Sequence, residues 1–218
     1  MPRSSADDEF SSALPLLCSE ADLFVLETQN GINLARYISA LAESWAVAKQ
    51  LELTPEIRCE CNRIAMQGIY STAGKYRDRF VAAGRYVPPK RSEVPSLVAE
   101  MREYANRVSN QSLHAAAYLL WRVNWIHPFY DGNGRIAREL SYLALLVGNG
   151  VTELPGIPTI PELMDRDHRD EYYRYLEVAD HEWTINLQPD VRKLESLISG
   201  LLVEQIGSAI DLDESTES

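Results

Sequence analysis

The sequence predicts a mostly α-helical domain with a small β element, and three observations favour this class. Apolar residues recur at helical spacing along most of the 218-residue chain. Two of these stretches, 113–126 and 135–147, are apolar enough to be buried helices. The stretch 76–87 instead has short apolar runs broken by glycine and proline, which indicates a small hairpin or an ordered loop.

The first two helices are predicted from a shared apolar face and a start signal. The first helix has apolar residues on one face at Leu34, Ile38, Leu41, Trp45 and Ala48. The second should begin at Thr54-Pro55-Glu56, because threonine caps a helix end and proline favours the first helical position. Its helical period breaks near Gly68.

The later helices follow the same spacing. Ser92-Glu93 opens a helix that precedes the apolar stretch 113–126. The helix over 135–147 should end with Gly148 as its C-cap. A short helix is predicted over 169–179 and a last one over 191–206.

Composition and charge limit the organisation and the class of partner. We predict a mobile segment over 1–20, one domain over 21–207 and an acidic disordered tail over 208–218. The net charge of −11 argues against attraction to nucleic acid or to an anionic membrane. The chain has no apolar run long enough for a membrane span, and residues 1–10 lack signal-peptide features. We therefore expect a cytoplasmic protein, or one delivered elsewhere by a route without a visible signal.

The three cysteines are expected to be reduced and structural. Cys59 and Cys61 fall on one predicted helix, and Cys18 stands apart. A zinc site needs about four ligands, and the sequence has no second cysteine pair to complete one.

The stretch 127–138, HPFYDGNGRIAR, has the residues for chemistry at a phosphate. Pro128 should end the preceding helix near Ile126. Gly132 and Gly134 allow positive φ angles and a close approach of the backbone to a ligand. A helix that starts near Arg135 would direct free N–H groups and the positive end of its dipole to the same place. The pattern therefore predicts an anion site.

Four side chains around this anion site complete the set. Arg135 and Arg138 are three residues apart, share a helix face and suit an oligophosphate. Asp131 suits Mg²⁺, which is commonly held by one or two carboxylates and substrate phosphates. His127 could take a proton from an attacking group. A base, a metal-binding carboxylate, an anion site and two arginines are together what an enzyme needs to transfer a group at the phosphate of a bound nucleotide.

Two other nucleotide-binding motifs match this sequence only in part. Gly132-x-Gly134-x-x-Ala137 matches a dinucleotide-binding fingerprint, but that fingerprint follows a strand, and the element before it here is a predicted helix. The segment Gly84 to Lys90 lacks the second glycine and the hydroxyl of a Walker A loop.

The stretch 127–138 closely resembles the Fic family signature H-P-F-x-(D/E)-G-N-G-R-x-x-R at every specified position. The resemblance extends over about 54–181. It implies a helical core with a β-hairpin flap over the active site. It also implies AMPylation, in which AMP passes from ATP to a Ser, Thr or Tyr hydroxyl of a target protein and pyrophosphate is released.

The resemblance also implies a role for each matching residue. His127 would be the general base, Asp131 would hold Mg²⁺, and Phe129 would anchor the loop in the core. The residues implied to bind the nucleotide's phosphates are Gly132, Asn133, Gly134, Arg135 and Arg138. Tyr173 and Asp180 would flank the adenosine, although several relatives carry an amide at the position of Asp180. The flap residues that would pair with the target's backbone are Val81, Ala82, Ala83 and Gly84.

Many members of this family are restrained by a helix with the motif (S/T)-x-x-x-E-(G/N). Ser5 to Glu9 and Ser39 to Glu43 match only its first part. Restraint by an antitoxin-like partner, weak restraint by Glu9, and no restraint all remain open. Two other functions remain as alternatives: transfer of another phospho-group, and nucleotide binding with little turnover. The oligomeric state is also open.

Overall fold

The computed structural model describes residues 16, 19–82 and 86–216, with side chains up to residue 210. This part of the chain forms eight α-helices. They are α1 (Glu20–Trp45), α2 (Pro55–Met66), α3 (Val94–Arg107), α4 (Ser112–Ile126), α5 (Asn133–Asn149), α6 (Ile160–Arg166), α7 (Arg169–Asn186) and α8 (Arg192–Thr216). The mostly helical class predicted from the sequence is therefore confirmed.

Helix α4 lies at the centre of the molecule and packs against α3, α5, α7 and α8. Leu119, Leu120 and Trp121 on α4 are completely buried. Helix α5 is the second buried helix and packs against α1, α2 and α6. The two most apolar stretches of the sequence therefore form the two central helices. The segment 127–132, which connects them, is anchored at both ends in the core.

Two helix boundaries agree with the sequence prediction. The Thr54 hydroxyl accepts a hydrogen bond from the Ile57 N–H (3.4 Å), and Pro55 is the first residue of α2. Helix α4 ends at Ile126, and His127 follows it in the left-handed region with φ 50° and ψ 59°. Pro128 disfavours right-handed helical backbone at His127, which agrees with the end at Ile126, but His127 has left-handed backbone instead of the extended backbone usual before a proline.

Helix α1 begins at Glu20, fourteen residues before Leu34, which is the first residue of the predicted apolar face. The Ser19 hydroxyl caps it by accepting a hydrogen bond from the Asp22 N–H (3.1 Å). Phe24 and Val25 are 71% and 66% exposed, so apolar residues in the first half of α1 do not all lie on one buried face. The spacing of apolar residues therefore does not predict a helix there. Ala48 follows the end of α1 and is exposed, contrary to prediction.

Helix α5 differs from the prediction at both ends. It begins at Asn133 rather than near Arg135. Its C-cap is Gly150, which has a φ of 74°, whereas Gly148 lies inside the helix. A Cβ at Gly148 would lie 2.5 Å from the Cβ of Ser112, so this glycine serves close packing of α5 on α4.

The structure adds one helix and extends two others. Helix α6 was not predicted, although Thr159 and Glu162 form a capping box at its start. Helix α7 continues to Asn186, and α8 continues to Thr216. The backbone of residues 208–216 is therefore helical where we predicted a disordered tail.

Near the predicted end of α8, two of its side chains contact the region around the start of α6. The buried Gln205 side chain accepts a hydrogen bond from the Ile160 N–H (2.9 Å) and donates one to the Tyr142 hydroxyl (3.2 Å). The Ser208 hydroxyl accepts one from the Ile157 N–H (3.0 Å). These contacts join residues that are distant in the sequence.

The predicted hairpin at 76–87 is not confirmed, because the described residues of this segment form no strand. Ala83 and Gly84 lie outside the described residues. Arg77 fixes the segment instead. Its N–H donates to the Pro128 carbonyl (2.9 Å), and its Nε donates to the His127 carbonyl (2.7 Å). The segment is therefore tied to the connection between α4 and α5.

No helix in the described part of the chain combines the length and the apolar character needed to cross a membrane. Cys59 and Cys61 lie on α2 as free thiols. Burial raises the pKa of Cys61 to about 12, so this thiol stays protonated at neutral pH. Cys18 lies outside the described residues.

Candidate active site

A cavity of about 790 Å³ opens where the connection between α4 and α5 meets α1, α6 and α7. The sequence-predicted residues that line it are His127, Asp131, Gly132, Asn133, Gly134, Arg135, Arg138, Tyr173 and Asp180. Residues separated by more than fifty positions in the sequence therefore come together in a single pocket. Several lining residues were not expected, and they include Glu27, Tyr86, Asn124, Asp165 and Arg169.

His127 lies at the end of α4, where its positive φ differs from the usual backbone of a non-glycine residue. The Arg77 guanidinium holds its carbonyl oxygen. Burial lowers the pKa of His127 below its usual 6.5, and the Arg77 charge acts in the same direction. The imidazole is therefore neutral at pH 7 and able to accept a proton.

The predicted anion site consists of backbone N–H groups at the start of α5. The Asp131 carboxylate accepts a hydrogen bond from the Gly132 N–H (2.6 Å) through Oδ1. The next N–H groups, of Asn133, Gly134 and Arg135, belong to the first turn, where an α-helix leaves its donors without partners. These donors and the helix dipole favour an anion at this point.

Gly132 and Gly134 have different conformations, contrary to prediction. Gly132 is the N-cap of α5 and has a φ of 79°. Gly134 is within α5 and has ordinary helical backbone, since α5 already begins at Asn133. Because α5 starts earlier, Gly134 contributes its backbone N–H to the site and does not need a positive φ.

Asn133 positions the loop with its side chain. Its Oδ1 accepts a hydrogen bond from the Phe129 N–H (3.0 Å), and its Nδ2 donates to the Phe129 carbonyl (2.9 Å). Asn133 is only 2% exposed and Phe129 1% exposed. Both polar atoms of the buried amide therefore hold the loop, and the backbone N–H of Asn133 is the group placed at the anion site.

Asn62 on α2 supports the same loop from the other side. Its Nδ2 donates to the Asp131 carbonyl (2.9 Å), and its Oδ1 accepts from the Gly74 N–H (2.8 Å). Sequence reasoning missed this residue. A single asparagine on a helix has no local signal, because both of its partners are far away in the sequence.

Replacing Gly132 by alanine should lower stability. An added Cβ would lie 2.6 Å from the Met66 Cε, and φ 79° is strained for alanine, so we expect a loss of about 1–3 kcal/mol in the free energy of unfolding. Gly200→Ala is the matched control, since its Cβ would enter open space on α8 and should stabilise by about 0.5–1 kcal/mol. Urea unfolding measures both. Equal shifts in the two variants would contradict the close packing at Gly132.

Each signature arginine faces a carboxylate from another helix. The Arg135 guanidinium lies 3.6 Å from Oε1 of Glu27 on α1. The Arg138 guanidinium lies 2.9 Å from Oδ1 of Asp165 on α6. Both acids line the cavity, so a phosphate bound by these arginines would share them with a carboxylate. Neither acid had a signal in the sequence, because each contact joins distant helices.

One face of α7 forms a wall of the cavity. Arg169, Tyr173, Glu177 and Asp180 recur at helical spacing along it. The Arg169 guanidinium is 5.8 Å from the centre of the Tyr173 ring, within range of a cation–π contact. The wall therefore passes from a cation through an exposed aromatic ring to two carboxylates.

Asp180 is a half-buried carboxylate at one end of this wall. Its Oδ1 accepts a hydrogen bond from the Trp121 indole N–H (2.8 Å). Burial raises the pKa of Asp180 to about 6, although the bond from Trp121 opposes the change. Asp180 therefore binds a proton in the folded protein at a pH where the unfolded chain would have released it.

This shift predicts a pH-dependent effect of Asp180→Asn. Between about pH 4 and pH 6 the folded state binds more protons at Asp180 than the unfolded state, so wild-type stability falls as pH rises. The amide has no such proton and can still accept from Trp121. The stability of Asp180→Asn relative to wild type should therefore rise across this range, by at most about 1.4 kcal/mol per pH unit. Unfolding curves at several pH values measure it, with Asp170→Asn on the exposed side of α7 as control.

The remaining predicted site residues are only partly placed. Ala82 lines the cavity and Val81 is half-buried next to it. Ala83, Gly84 and Glu9 lie outside the described residues, so their roles remain predictions.

Comparison with known sequences agrees with the signature. The Fic/DOC family model matches residues 52–145. "Protein adenylyltransferase Fic" from Drosophila persimilis is 29% identical over 167 residues, which cover 74% of this chain and 30% of that protein. A protein of the same name from Culex quinquefasciatus is 30% identical over 122 residues, which cover 55% of this chain and 22% of that protein. The chain thus spans less than a third of the length of these relatives.

Solved structures show the same fold. A Fic domain containing signaling protein from Bacteroides thetaiotaomicron superposes with a TM-score of 0.65 at 22% identity, over 87% of this chain and 74% of that one. Fic-1 from C. elegans (residues 134–508) superposes with a TM-score of 0.67 at 21% identity, over 87% of this chain and 52% of that one. The complete signature at the junction of α4 and α5 lies within the stretch 52–145 that the Fic/DOC family model matches. This part of the chain is therefore similar in sequence to Fic/DOC proteins, and the chain has the fold of the Fic-domain structures.

Proposed function

We propose that this protein transfers AMP from ATP to a Ser, Thr or Tyr hydroxyl of a target protein and releases pyrophosphate. One observation carries the proposal. A neutral histidine, the N–H groups at the start of α5 and two arginines line a single cavity large enough for a nucleotide. The name shared by the curated relatives, protein adenylyltransferase Fic, supports the same reaction.

His127 would act as the general base. The target's hydroxyl oxygen attacks the α-phosphorus of ATP, and the bond from that phosphorus to the pyrophosphate oxygen breaks. The hydroxyl proton passes to the neutral imidazole of His127. The charge that develops on the α-phosphate would be stabilised by the N–H groups of Gly134 and Arg135.

The rest of the nucleotide would lie along α7 and the two arginines. Arg135 and Arg138 would bind the outer phosphates. Tyr173 offers an exposed aromatic face to the adenosine, and Asp180 offers a hydrogen-bond acceptor beside it. The acceptor-only carboxylate of Asp180 can receive the amino group of adenine.

Asp131 is suited to a magnesium ion that ATP helps to hold. Its Oδ1 already accepts from Gly132, and the side chain is exposed and lines the cavity. The described residues contain no group of three side chains that could hold a metal without substrate. The ion would therefore share Asp131 with the phosphates, where it would neutralise their charge.

The target would dock beside His127, through the flap. We place this contact at Val81, Ala82, Ala83 and Gly84, where pairing of main chains would present a target hydroxyl. Arg77, four residues before Val81, donates to the His127 carbonyl, which supports a docking position near the base.

Glu27 would restrain the activity. Its carboxylate lies 3.6 Å from the Arg135 guanidinium, so it competes with a phosphate for this cation and repels the ATP charge. This assignment needs neither Glu9 nor an antitoxin-like partner, although such a partner could act in addition.

Mass spectrometry tests the proposed reaction. The purified protein is incubated with Mg²⁺ and ATP, alone and with lysate proteins, and AMP adducts are sought. ATP labelled at the α or the γ position separates AMP transfer from the transfer of phosphate. Label transferred only from the γ position would support the alternative phospho-transfer. ATP binding without any adduct, also in Glu27→Gln, would support a binding module with little turnover.

A further inference from the structure

A second depression lies beside the nucleotide cavity and has an apolar floor. This groove of about 390 Å³ is lined by Arg77, Phe80 and residues 87–92. Phe80 is 61% exposed and Val87 53% exposed within it, and Pro88 and Pro89 extend the apolar surface. An exposed phenylalanine and valine side by side next to two prolines suit an apolar side chain of another molecule.

The segment around this groove is basic in an otherwise acidic chain. Residues 75–91 contain six lysines or arginines and one aspartate, a net charge of +5, whereas the whole chain carries −11. Lys90 and Arg91 line the groove with exposed side chains, and Arg79, which precedes Phe80 in the sequence, is also exposed. A cationic rim around an apolar centre is complementary to an anionic ligand with an apolar residue.

The groove is adjacent to the catalytic turn. The Arg77 guanidinium lines the groove and donates to the Pro89 carbonyl (2.5 Å) and to the His127 carbonyl (2.7 Å). One buried side chain therefore connects the groove wall to the proposed base. A chain segment in the groove would lie close to the point where its hydroxyl must react.

We propose that this groove, the basic docking groove, binds an extended acidic segment of the target protein, with one apolar side chain against Phe80 and Val87. The proposal rests on the proposed function and adds the chemistry of the target. Nucleic acid is the less suitable anion. A long polyanion would extend onto the rest of the molecule, which carries a net charge of −16. A short acidic segment meets only the basic rim.

Peptide binding to the full chain tests the proposal without ATP. Fluorescence anisotropy compares short labelled peptides in which a central leucine is flanked by glutamates, glutamines or lysines. The double variant Arg79→Glu/Lys90→Glu reverses two rim charges. Arg36→Glu/Lys193→Glu makes the same charge change at exposed positions on α1 and α8. Urea unfolding checks that both variants are folded.

We expect the glutamate peptide to bind most tightly and to weaken about tenfold in the rim variant, but far less in the control. In the wild type, a glutamate peptide with a central leucine should bind more tightly than the same peptide with a central glycine. Phe80→Ser should abolish this difference in affinity. Equal binding of the glutamate and glutamine peptides, equal loss in both double variants, or absence of binding would overturn the proposal. Tighter binding of a single-stranded DNA oligonucleotide would assign the groove to nucleic acid instead.

The result of the peptide-binding experiment does not depend on whether the protein transfers AMP. Peptide binding is measured without a nucleotide, so it can succeed even if AMP transfer fails. Conversely, AMP transfer to lysate proteins at sites without nearby acidic residues would support the reaction and contradict the docking groove.

Discussion

Replacing His127 by alanine is expected to lower the rate of AMP transfer by about 10²–10⁴-fold, the usual contribution of a general base. The imidazole is the only one that lines the cavity in the described part of the chain, and burial keeps it neutral at pH 7. Because the His127 contacts with Val123 and Arg77 use backbone atoms, the loop should persist in the variant. Transfer of label from α-labelled ATP to the target measures the rate.

The control for this variant is His181→Ala, which removes an exposed histidine of α7. A wild-type rate in His127→Ala would exclude His127 as the base. The pH profile gives a second readout. Since the pKa of His127 is below 6.5, the wild-type rate should rise with pH and reach half of its maximum below pH 6.5, and this step should vanish in His127→Ala.

Replacing Glu27 by glutamine is expected to increase AMP transfer at low ATP concentration, by of order tenfold. The substitution removes the charge that faces Arg135 but keeps the length of the side chain and its helix-forming tendency. ATP would then bind without displacing a carboxylate. Measuring the rate over a range of ATP concentrations separates tighter binding from faster chemistry.

Glu43→Gln is the matched control, because Glu43 is an exposed glutamate on the same helix. The opposite result has a clear meaning as well. If Glu27→Gln bound ATP more weakly than wild type, Glu27 would serve to orient Arg135 rather than to restrain it. A similar increase in Glu43→Gln would attribute the effect to net charge alone.

Local sequence determined the two central helices and the turn between them. The stretches 113–126 and 135–147 are apolar around most of their surface, so they form the core of the fold. Pro128 disfavours helical backbone at His127 and Gly132 tolerates a φ of 79°, and both effects are local, although Arg77 also holds the turn from outside. For the same reason, the N–H groups at the start of α5 and the position of His127 could be predicted.

Boundaries that depend on distant partners could not be predicted. Helix α8 continues past the predicted end at residue 206, and there the Ser208 hydroxyl accepts a hydrogen bond from the Ile157 N–H of the loop before α6. Gly148 looked like a C-cap, but it is a packing glycine against Ser112. In both cases the helix contacts a segment that is distant in the sequence, and the local spacing of apolar residues gives no information about that segment.

The sequence by itself determined the chemistry of this site, and only the tertiary structure decided what surrounds it. His127, Asp131 and the two arginines are close in the sequence, so one turn and one helix face bring them together. Glu27, Asp165 and the wall of α7 reach the same cavity from separate helices. Their positions depend on how the apolar faces of α1, α6 and α7 pack on the core, which is a property of the whole fold.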